Sequence, residues 1–400
     1  MQKGVKGVKG VKGVKGVKGV TPDVLKWARE TAGYSQKDVA DILNKPIDLV
    51  ISWEKGLSSP SYSQLENLAY KIYKRPLALF FFPEPPDEPE IKQSFRTLPL
   101  FEIENLTPDT RFIIRKAKVM QISLSELTDG INPSEEKIFK DISVDKHMKI
   151  SDLVKIVRRY LGISIDDQIK WKKNEDALKI WREAIQDKGV FVFKNSIKQK
   201  EVSGFCLSDK IFPIIYLNNS VSANRQIFTL FHELAHVLLN ANGLTKQDDG
   251  YIDFLEGESK EIEIFSNRFA GEFLVPNDDF EQNIDNNIPD DQSILDLSNR
   301  YKVSCEVILR RFLDKGLINH KYYSLKVGQY SNEREGKKSK GGGGDYYATQ
   351  AVYLGTHFLN LVFSKYYQGR VTKEQLSDCL NIKAINLDKI ESVVFFKRLK

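Results

Sequence analysis

Apolar positions in the first fifth of the chain recur at the spacing of amphipathic helices, and each run is bounded by capping residues. Thr21 begins the first helix, Gly33 ends it, and Ser35 caps the second. A third short helix is expected at about Ile47–Trp53, and a fourth follows it. The pattern therefore predicts a compact all-α domain over residues 21–82.

In the middle of the chain, the spacing of the apolar residues changes. A proline-rich linker over residues 83–104 cannot continue a helix, and a largely helical stretch follows it. Three apolar runs typical of strands come next, at Val190–Phe193, Val202–Cys206 and Ile211–Leu217. Pro213 interrupts the third run, which favours a strand at the edge of a sheet.

Two longer helices follow the strand-like runs. The first, at about Arg225–Leu239, is apolar nearly all round and is therefore expected to be buried. A polar loop separates it from the second, at about Glu258–Leu274. We predict one domain over residues 105–325 that combines these helices with a small mixed sheet, so the fold class of the chain is α+β.

The two ends of the chain differ from its body. Six Lys-Gly-Val triplets fill most of residues 1–20, and glycine at every third position favours a flexible tail. Near the other end, a basic, glycine-rich linker is expected over residues 326–344. It precedes a small all-α domain over residues 345–400, to which the sequence assigns no role.

Charge and cysteine content narrow the class of protein. The net charge is +6, but the first twenty residues hold six Lys and no acid, so the other residues are neutral overall. Any affinity for nucleic acid must then come from a local patch. Three scattered cysteines suit a reducing compartment, and the sequence has neither a membrane-length apolar run nor a signal peptide. We therefore expect a cytoplasmic protein with no membrane partner.

One motif carries chemistry. His232 and His236 are four residues apart, so on a helix both imidazoles project from one face and can bind one metal ion. Glu233 lies between them, where it can act as a general base towards water. The alternative is a pair of hydrogen-bonded core histidines with a chance Glu between them. A third ligand is needed, and the spacing that would supply a third histidine is absent.

A later helix offers a carboxylate as the third ligand. Glu263 and Asn267 share one face, so Glu263 can bind the metal while Asn267 hydrogen-bonds a ligand histidine. Glu261 and Glu258 are the alternative ligands. Zinc is the expected metal, with Mn²⁺ as the alternative, because the ligand types do not separate the two.

Four separated blocks of this region together resemble the ImmA/IrrE family of metallo-endopeptidases: Ser203–Phe205, Pro213–Asn218, Arg225–His236 and Glu263–Pro276. The resemblance covers about residues 185–320, and Ser266 stands where the family usually has Ala. It implies a zincin-like domain in which His232, His236 and Glu263 bind zinc and Glu233 is the catalytic base. It also implies a protein substrate, a transcriptional repressor of the helix-turn-helix type.

Two details of catalysis stay open in the sequence. The run at Ile211–Leu217 is our candidate for pairing with an extended substrate segment. His320, Tyr216 and Tyr251 are candidates for stabilising the oxyanion.

Residues 22–75 resemble a Cro/XRE-type helix-turn-helix domain, in which the third helix enters the major groove. Double-stranded DNA is therefore a candidate partner, and docking of a repressor is the other. The segment holds eight basic and seven acidic residues, so its net charge is only +1. The candidate DNA contacts are Gln36, Lys37, Lys45 and Ser52.

Two functions are consistent with these sequence features. The first is a repressor-cleaving zinc endopeptidase with a fused regulatory helix-turn-helix domain. The second is a DNA-binding regulator or antitoxin-like protein whose metal site is structural or idle. Glu233 favours the enzyme, because an idle site has no need of it and a structural site would have a fourth protein ligand.

Overall fold

The computed structural model describes residues 16–88, 91, 95, 98–144, 148–247, 249–285, 287–336 and 345–395. The described chain divides into two compact units. The first comprises residues up to 91 together with 104–112, and the second comprises 92–103 and everything from 113 onward. The chain therefore passes between the units three times.

Helices build the first unit, as the capping residues predict. They are α1 (Pro22–Ala32), α2 (Gln36–Leu43), α3 (Ile47–Glu54) and α4 (Tyr62–Glu66), which continues as a π-helical stretch (Asn67–Tyr73) before a 3₁₀ turn (Leu77–Phe81). Ser35 and Asp38 form a reciprocal capping box at the start of α2. In the core, Arg29 of α1 binds Glu54 of α3 at 2.6 Å, and both side chains are buried. A charged pair thus fixes α3 against α1.

The basic tail meets this unit at its described end. The backbone N–H of Val17 donates to the carbonyl of Pro60 at 2.8 Å. Val17 and Val20 pack against the apolar core of the unit. The first fifteen residues of the chain, which hold most of the repeat, lie outside the described part of the chain.

Most of the remaining chain is helical. The helices before the sheet are α5 (Leu100–Glu104), α6 (Pro108–Leu127), α7 (Ile138–Asp141), α8 (Ile150–Leu161), α9 (Ile165–Lys170) and α10 (Asn174–Asp187). Those around and after it are α11 (Ala223–Leu238), α12 (Gly257–Leu274), α13 (Asn277–Gln282), α14 (Asp291–Tyr301), α15 (Cys305–Asp314), α16 (His320–Gly336), α17 (Tyr346–Leu354), α18 (Thr356–Tyr367), α19 (Lys373–Leu380) and α20 (Leu387–Phe395), with 3₁₀ turns at Asp249–Phe254 and Ala384–Asn386. No helix of the described residues is long and apolar enough to span a bilayer.

A small mixed sheet lies in the second unit. Its strands are β1 (Phe191–Asn195), β2 (Val202–Leu207), β3 (Ile214–Asn218) and β4 (Gly243–Lys246), in the order β1-β3-β2-β4. β3 runs parallel to β1 and antiparallel to β2, and β4 pairs antiparallel with β2. The fold class is thus α+β, as expected.

The expectation that the third run is an edge strand is wrong. β3 has a neighbour on both sides, so both of its edges are paired. The strand begins at Ile214, directly after Pro213. The missing N–H of Pro213 therefore costs the sheet no hydrogen bond, and its carbonyl still accepts from the N–H of Phe191 at 3.0 Å.

The sequence did not indicate β4, which lies in the predicted polar loop. It has four residues and a single large apolar side chain, that of Leu244. An alternation of apolar and polar positions needs more residues than this to be recognised. β4 nevertheless forms one edge of the sheet, beside the helix that carries the histidines.

Helix α11 is the centre of the second unit's core. It packs against α12 on one side and against β2 on another. The close approach to β2 depends on Gly204, where a Cβ would lie 2.6 Å from the methyl carbon of Thr229. Around α11, Trp181 of α10 meets Phe231 edge to face at 4.9 Å, and Phe231 stacks on Phe273 of α12.

The helices after residue 345 pack against the sheet within this second unit. Arg182 of α10, almost fully buried, donates to the carbonyls of Val352 and Tyr353 at the end of α17. Phe358 of α18 meets Phe193 of β1 edge to face at 5.3 Å. β1 is therefore covered by helices from the end of the chain.

Replacement of Trp181 tests this core. Trp181→Ala removes a completely buried indole, and we expect the free energy of unfolding to fall by about 3–5 kcal/mol. Urea unfolding followed by circular dichroism measures the change. The matched control is Leu295→Ala, at a side chain that is 46% exposed, with an expected change below about 0.5 kcal/mol. Equal losses for the two variants would contradict the assignment of Trp181 to the core.

Candidate metal centre

Helix α11 positions the histidine motif in the interior. Ser222 caps the helix by accepting a hydrogen bond from the N–H of Arg225, and the run of apolar residues that follows buries most of its circumference. His232, Glu233 and His236 are all completely buried. Glu263 of the neighbouring helix α12 is completely buried as well. Four polar side chains on two packed helices are thus withdrawn from solvent.

The ligand atoms of three of these side chains converge. The Nε2 atoms of His232 and His236 lie 3.1 Å apart. Oε2 of Glu263 lies 3.3 Å from Nε2 of His232, and Oε1 lies 3.4 Å from Nε2 of His236. These three residues are the group of potential metal ligands found among the described residues.

These distances fit a tetrahedral metal ion. Zinc bonds of about 2.0–2.1 Å to nitrogen and oxygen place neighbouring tetrahedral ligands about 3.3 Å apart. The Oε1 atom of Glu263 and Nδ1 of His236 are buried and accept or donate no hydrogen bond in the described structure. A buried carboxylate oxygen without a hydrogen bond is costly unless a cation compensates it. The residues present therefore fit the metal that the motif implies.

Neighbouring side chains orient these candidate ligands. Nδ1 of His232 lies 2.9 Å from Oδ1 of Asn267, so Nδ1 can donate its proton to the amide oxygen, which leaves Nε2 as the atom that would bind a metal ion. The hydroxyl of Tyr251 donates to Oε2 of Glu263 at 2.8 Å. Burial alone would raise the pKa of Glu263, but the two adjacent histidines hold it well below its ordinary value. Glu263 is therefore an anion in this site.

Glu233 is arranged differently from the three converging residues. Thr245 of β4 donates its hydroxyl to Oε1 of Glu233, while the buried Oε2 atom has no hydrogen-bond partner in the described structure. Burial, and then the negative charge of Glu233, raise the pKa of the Cys206 thiol well above its ordinary value. One oxygen of Glu233 is thus held in place, and the other remains available to take a proton.

Gly243 brings β4 against the motif, and sequence reasoning missed it. A Cβ at this position would lie 2.5 Å from Cδ2 of His236 and 2.6 Å from Oε2 of Glu233. No side chain fits there without displacing the ring or the carboxylate. The only signal in the sequence is a glycine in a loop close after the motif, and that is common in loops.

The alternative ligands and the oxyanion candidates lie in different places. Glu258 and Glu261 are exposed on α12, away from the converging group. Tyr216 is a residue of β3, and its ring stacks on that of Phe205 at 5.2 Å, so it packs on the sheet and not against the converging group. Of the three tyrosine and histidine candidates, Tyr251 contacts Glu263 directly, whereas His320 lines a cavity nearby.

That cavity has a volume of about 490 Å³ and lies within the second unit. Phe228 and Asn267 form part of its wall, and both lie next to His232. The 3₁₀ turn at Asp249–Phe254 contributes Gly250, Ile252 and Asp253 to the wall.

The candidate DNA contacts lie on the first unit. Lys37 of α2 and Lys45, between α2 and α3, are exposed. Gln36 instead donates its side-chain amide to Glu54 at 2.8 Å. The hydroxyl of Ser52 donates to the carbonyl of Leu49 at 2.8 Å. The two lysines are therefore exposed to solvent, whereas the two uncharged candidates already have hydrogen-bond partners within the domain.

Substitution of Gly243 tests the close approach of β4. We expect Gly243→Ala to lower the affinity for zinc by at least about tenfold, because the added carbon displaces His236 or Glu233. Metal content after dialysis against a zinc buffer series measures this. The control is Gly271→Ala on α12, where nothing lies within 4 Å of the added carbon, so affinity should be unchanged. Unaltered zinc binding in both variants would show that β4 tolerates a side chain here.

Two regions of the chain match models of known protein families. Residues 185–313 match the peptidase family M78 model described as the IrrE N-terminal-like domain. Residues 25–69 match a helix-turn-helix model. A search of curated proteins finds no match. In this chain the region built around the histidine motif thus matches the IrrE N-terminal-like domain of peptidase family M78, and the region near its start matches a helix-turn-helix domain of the XRE type.

Proposed function

We propose that this protein is a zinc-dependent endopeptidase that cleaves a helix-turn-helix transcriptional repressor. The observation that carries the proposal is the buried, unpartnered Oε2 atom of Glu233 beside three converging ligand atoms. A carboxylate in that position suits the general base of amide hydrolysis. The match to the peptidase family supports the same reaction class.

His232, His236 and Glu263 would hold the metal, and Asn267 keeps His232 in the tautomer that can bind it. The chemistry that bound zinc supplies is Lewis acidity, which lowers the pKa of water to about 7. Glu233 takes the proton from the attacking water on Oε2 and returns it to the departing amine. Thr245 holds the other oxygen and so keeps Oε2 pointed towards the reacting centre.

The alternative, a regulator with a structural or idle metal site, is less well supported. A structural zinc has four protein ligands as a rule, whereas the converging group of the described residues has three. A buried Glu233 without a metal role would also leave its unpartnered oxygen without compensation.

We place the substrate backbone along β4 rather than along Ile211–Leu217. β3 has no free backbone edge, whereas β4 pairs with β2 alone among the described strands. β4 also carries Gly243 and Thr245, which contact the motif. An extended peptide that adds to its outer edge would run past Glu233.

Access to the site requires movement. His232, Glu233, His236 and Glu263 are completely buried, so a peptide cannot reach them in the arrangement described. The 3₁₀ turn at Asp249–Phe254 holds Tyr251 against Glu263 and follows β4 closely in the chain. We propose that this turn moves away from α12 when substrate binds, as covering segments of buried active sites do.

The helix-turn-helix domain is proposed to recruit the partner. Double-stranded DNA and the repressor itself are the two candidates. Lys37 and Lys45 are exposed and could contact phosphates, whereas Asp48 at the start of α3 would repel them. Binding to a duplex at two salt concentrations separates the candidates, because phosphate contacts weaken steeply with salt.

Replacement of Glu233 tests the peptidase. The zinc-loaded protein is incubated with the helix-turn-helix repressor encoded nearest to it, and cleavage is followed by gel and mass spectrometry. We expect Glu233→Gln to slow cleavage by at least about a hundredfold, since the amide cannot accept the proton, while zinc content stays the same.

The control for this experiment is Glu261→Gln, the same change at an exposed position of α12, which should leave the rate unaltered. Cleavage by the Glu233→Gln variant at the rate of the parent protein would contradict the proposed mechanism.

A further inference from the structure

The cavity beside His232 is more basic than the chain as a whole. Five of its lining side chains are Arg or Lys and three are Asp or Glu: Arg225, Lys260, Arg268, Arg310 and Arg311 against Asp253, Glu306 and Asp314. Outside the first twenty residues the chain is neutral overall, so this is a local excess of positive charge. A concave basic wall concentrates anions near the metal centre.

Three of these cations have no carboxylate partner among the described residues, and one of the three, Arg225, donates instead to Oγ of Ser203 and to the carbonyl of Lys246. Arg310 is paired with Asp314 at 3.0 Å, and Arg311 is paired with Glu272 at 2.5 Å. No ion pair forms at Lys260 or Arg268 among the residues that the structure describes. Their charges are thus available to a ligand.

Lys260 and Arg268 lie on the same helix as the proposed ligand Glu263. Along α12, Lys260, Ile264, Asn267, Arg268 and Gly271 line the cavity, and this spacing corresponds to one face of the helix. Asn267 contacts His232 at 2.9 Å, so the same face joins the basic wall to the metal centre. A group bound by the cations would sit a short distance from the reacting bond.

Two further features of the wall suit a peptide. Helix α15, ten residues long, begins at the cavity with Ser304 as its cap, and its N-terminal end adds partial positive charge. Apolar side chains lie between the charged ones, namely those of Phe228, Ile252, Ile264 and Val307. An amino-acid side chain with an apolar stem and an anionic end matches this alternation better than a polyphosphate does.

We infer that this cavity binds an acidic side chain of the substrate next to the scissile bond, with Lys260 and Arg268 as its charge partners. The inference rests on the proposed function and adds a specificity to it: Asp or Glu near the cleavage position. Charge-assisted hydrogen bonds in a concave site favour the carboxylates of Asp and Glu over the neutral side-chain amides of Asn and Gln.

The test measures binding without turnover. The full-length Glu233→Gln protein, in zinc-supplemented buffer, is titrated into two fluorescein-labelled peptides, (Glu-Ala)₅ and (Gln-Ala)₅, and anisotropy gives the dissociation constants. We expect the acidic peptide to bind at least about tenfold more tightly. Adding Lys260→Met and Arg268→Met should weaken binding of the acidic peptide by about the same factor and leave binding of the neutral peptide unchanged.

The matched control carries Arg159→Met and Lys179→Met, which make the same charge change at exposed positions of α8 and α10. The basic tail is present in every variant, so its attraction for the acidic peptide cancels in the comparison. Equal binding of the two peptides, or an affinity for the acidic peptide that is the same in the Lys260 and Arg268 variant as in its parent, would overturn the inference. So would displacement of the acidic peptide by sub-millimolar inorganic phosphate, which would assign the cavity to a phosphate-bearing ligand.

This outcome is separate from that of the cleavage experiment. Binding is measured on a protein that lacks the proposed general base, so it does not depend on hydrolysis. A preference for the acidic peptide without repressor cleavage would leave the cavity assignment intact while the proposed peptidase failed.

Discussion

The buried contact between Glu263 and the two histidines sets the conditions for the rest of the second unit. A carboxylate and two imidazoles withdrawn from water are costly in free energy unless each faces a compensating group. Helices α11 and α12 must therefore place these side chains opposite one another. Asn267 and Tyr251 fix those faces by hydrogen bonds. The surrounding apolar core then holds the two helices at the separation that keeps the three candidate ligand atoms together.

Much of this centre could be predicted because residues at fixed spacings in the sequence lie close together on a helix. Residues four apart share a face, so His232 and His236 were predictable from local sequence, and Glu263 with Asn267 from the same rule on a second helix. Their meeting also needs the two helices to pack, which a periodic pattern does not specify. The prediction of the family and of the α+β class is confirmed by both domain matches.

The sheet was harder to predict for a physical reason. Strands are short and their partners are distant in sequence, so pairing order is not visible in local patterns. Pro213 suggested an edge, although a proline directly before a strand leaves the ladder intact. β4 escaped notice because its role depends on Gly243, and what matters there is the absence of a side chain. Their positions along the helices make Gln36 and Ser52 candidate DNA contacts. Tertiary structure decides the outcome, because both side chains form hydrogen bonds within the domain.

The path of the chain between its two compact units has a consequence for dissecting the protein. Residues 92–103 belong to the second unit, and Phe95 among them meets Phe205 of the sheet edge to face, while residues 104–112 return to the first. No single cut therefore yields both units whole. A fragment starting at 113 would lack Phe95 and so expose the ring of Phe205, and one starting at 92 would still contain residues 104–112, which belong to the first unit. Separate expression of the two halves calls for a circularly permuted or co-expressed arrangement.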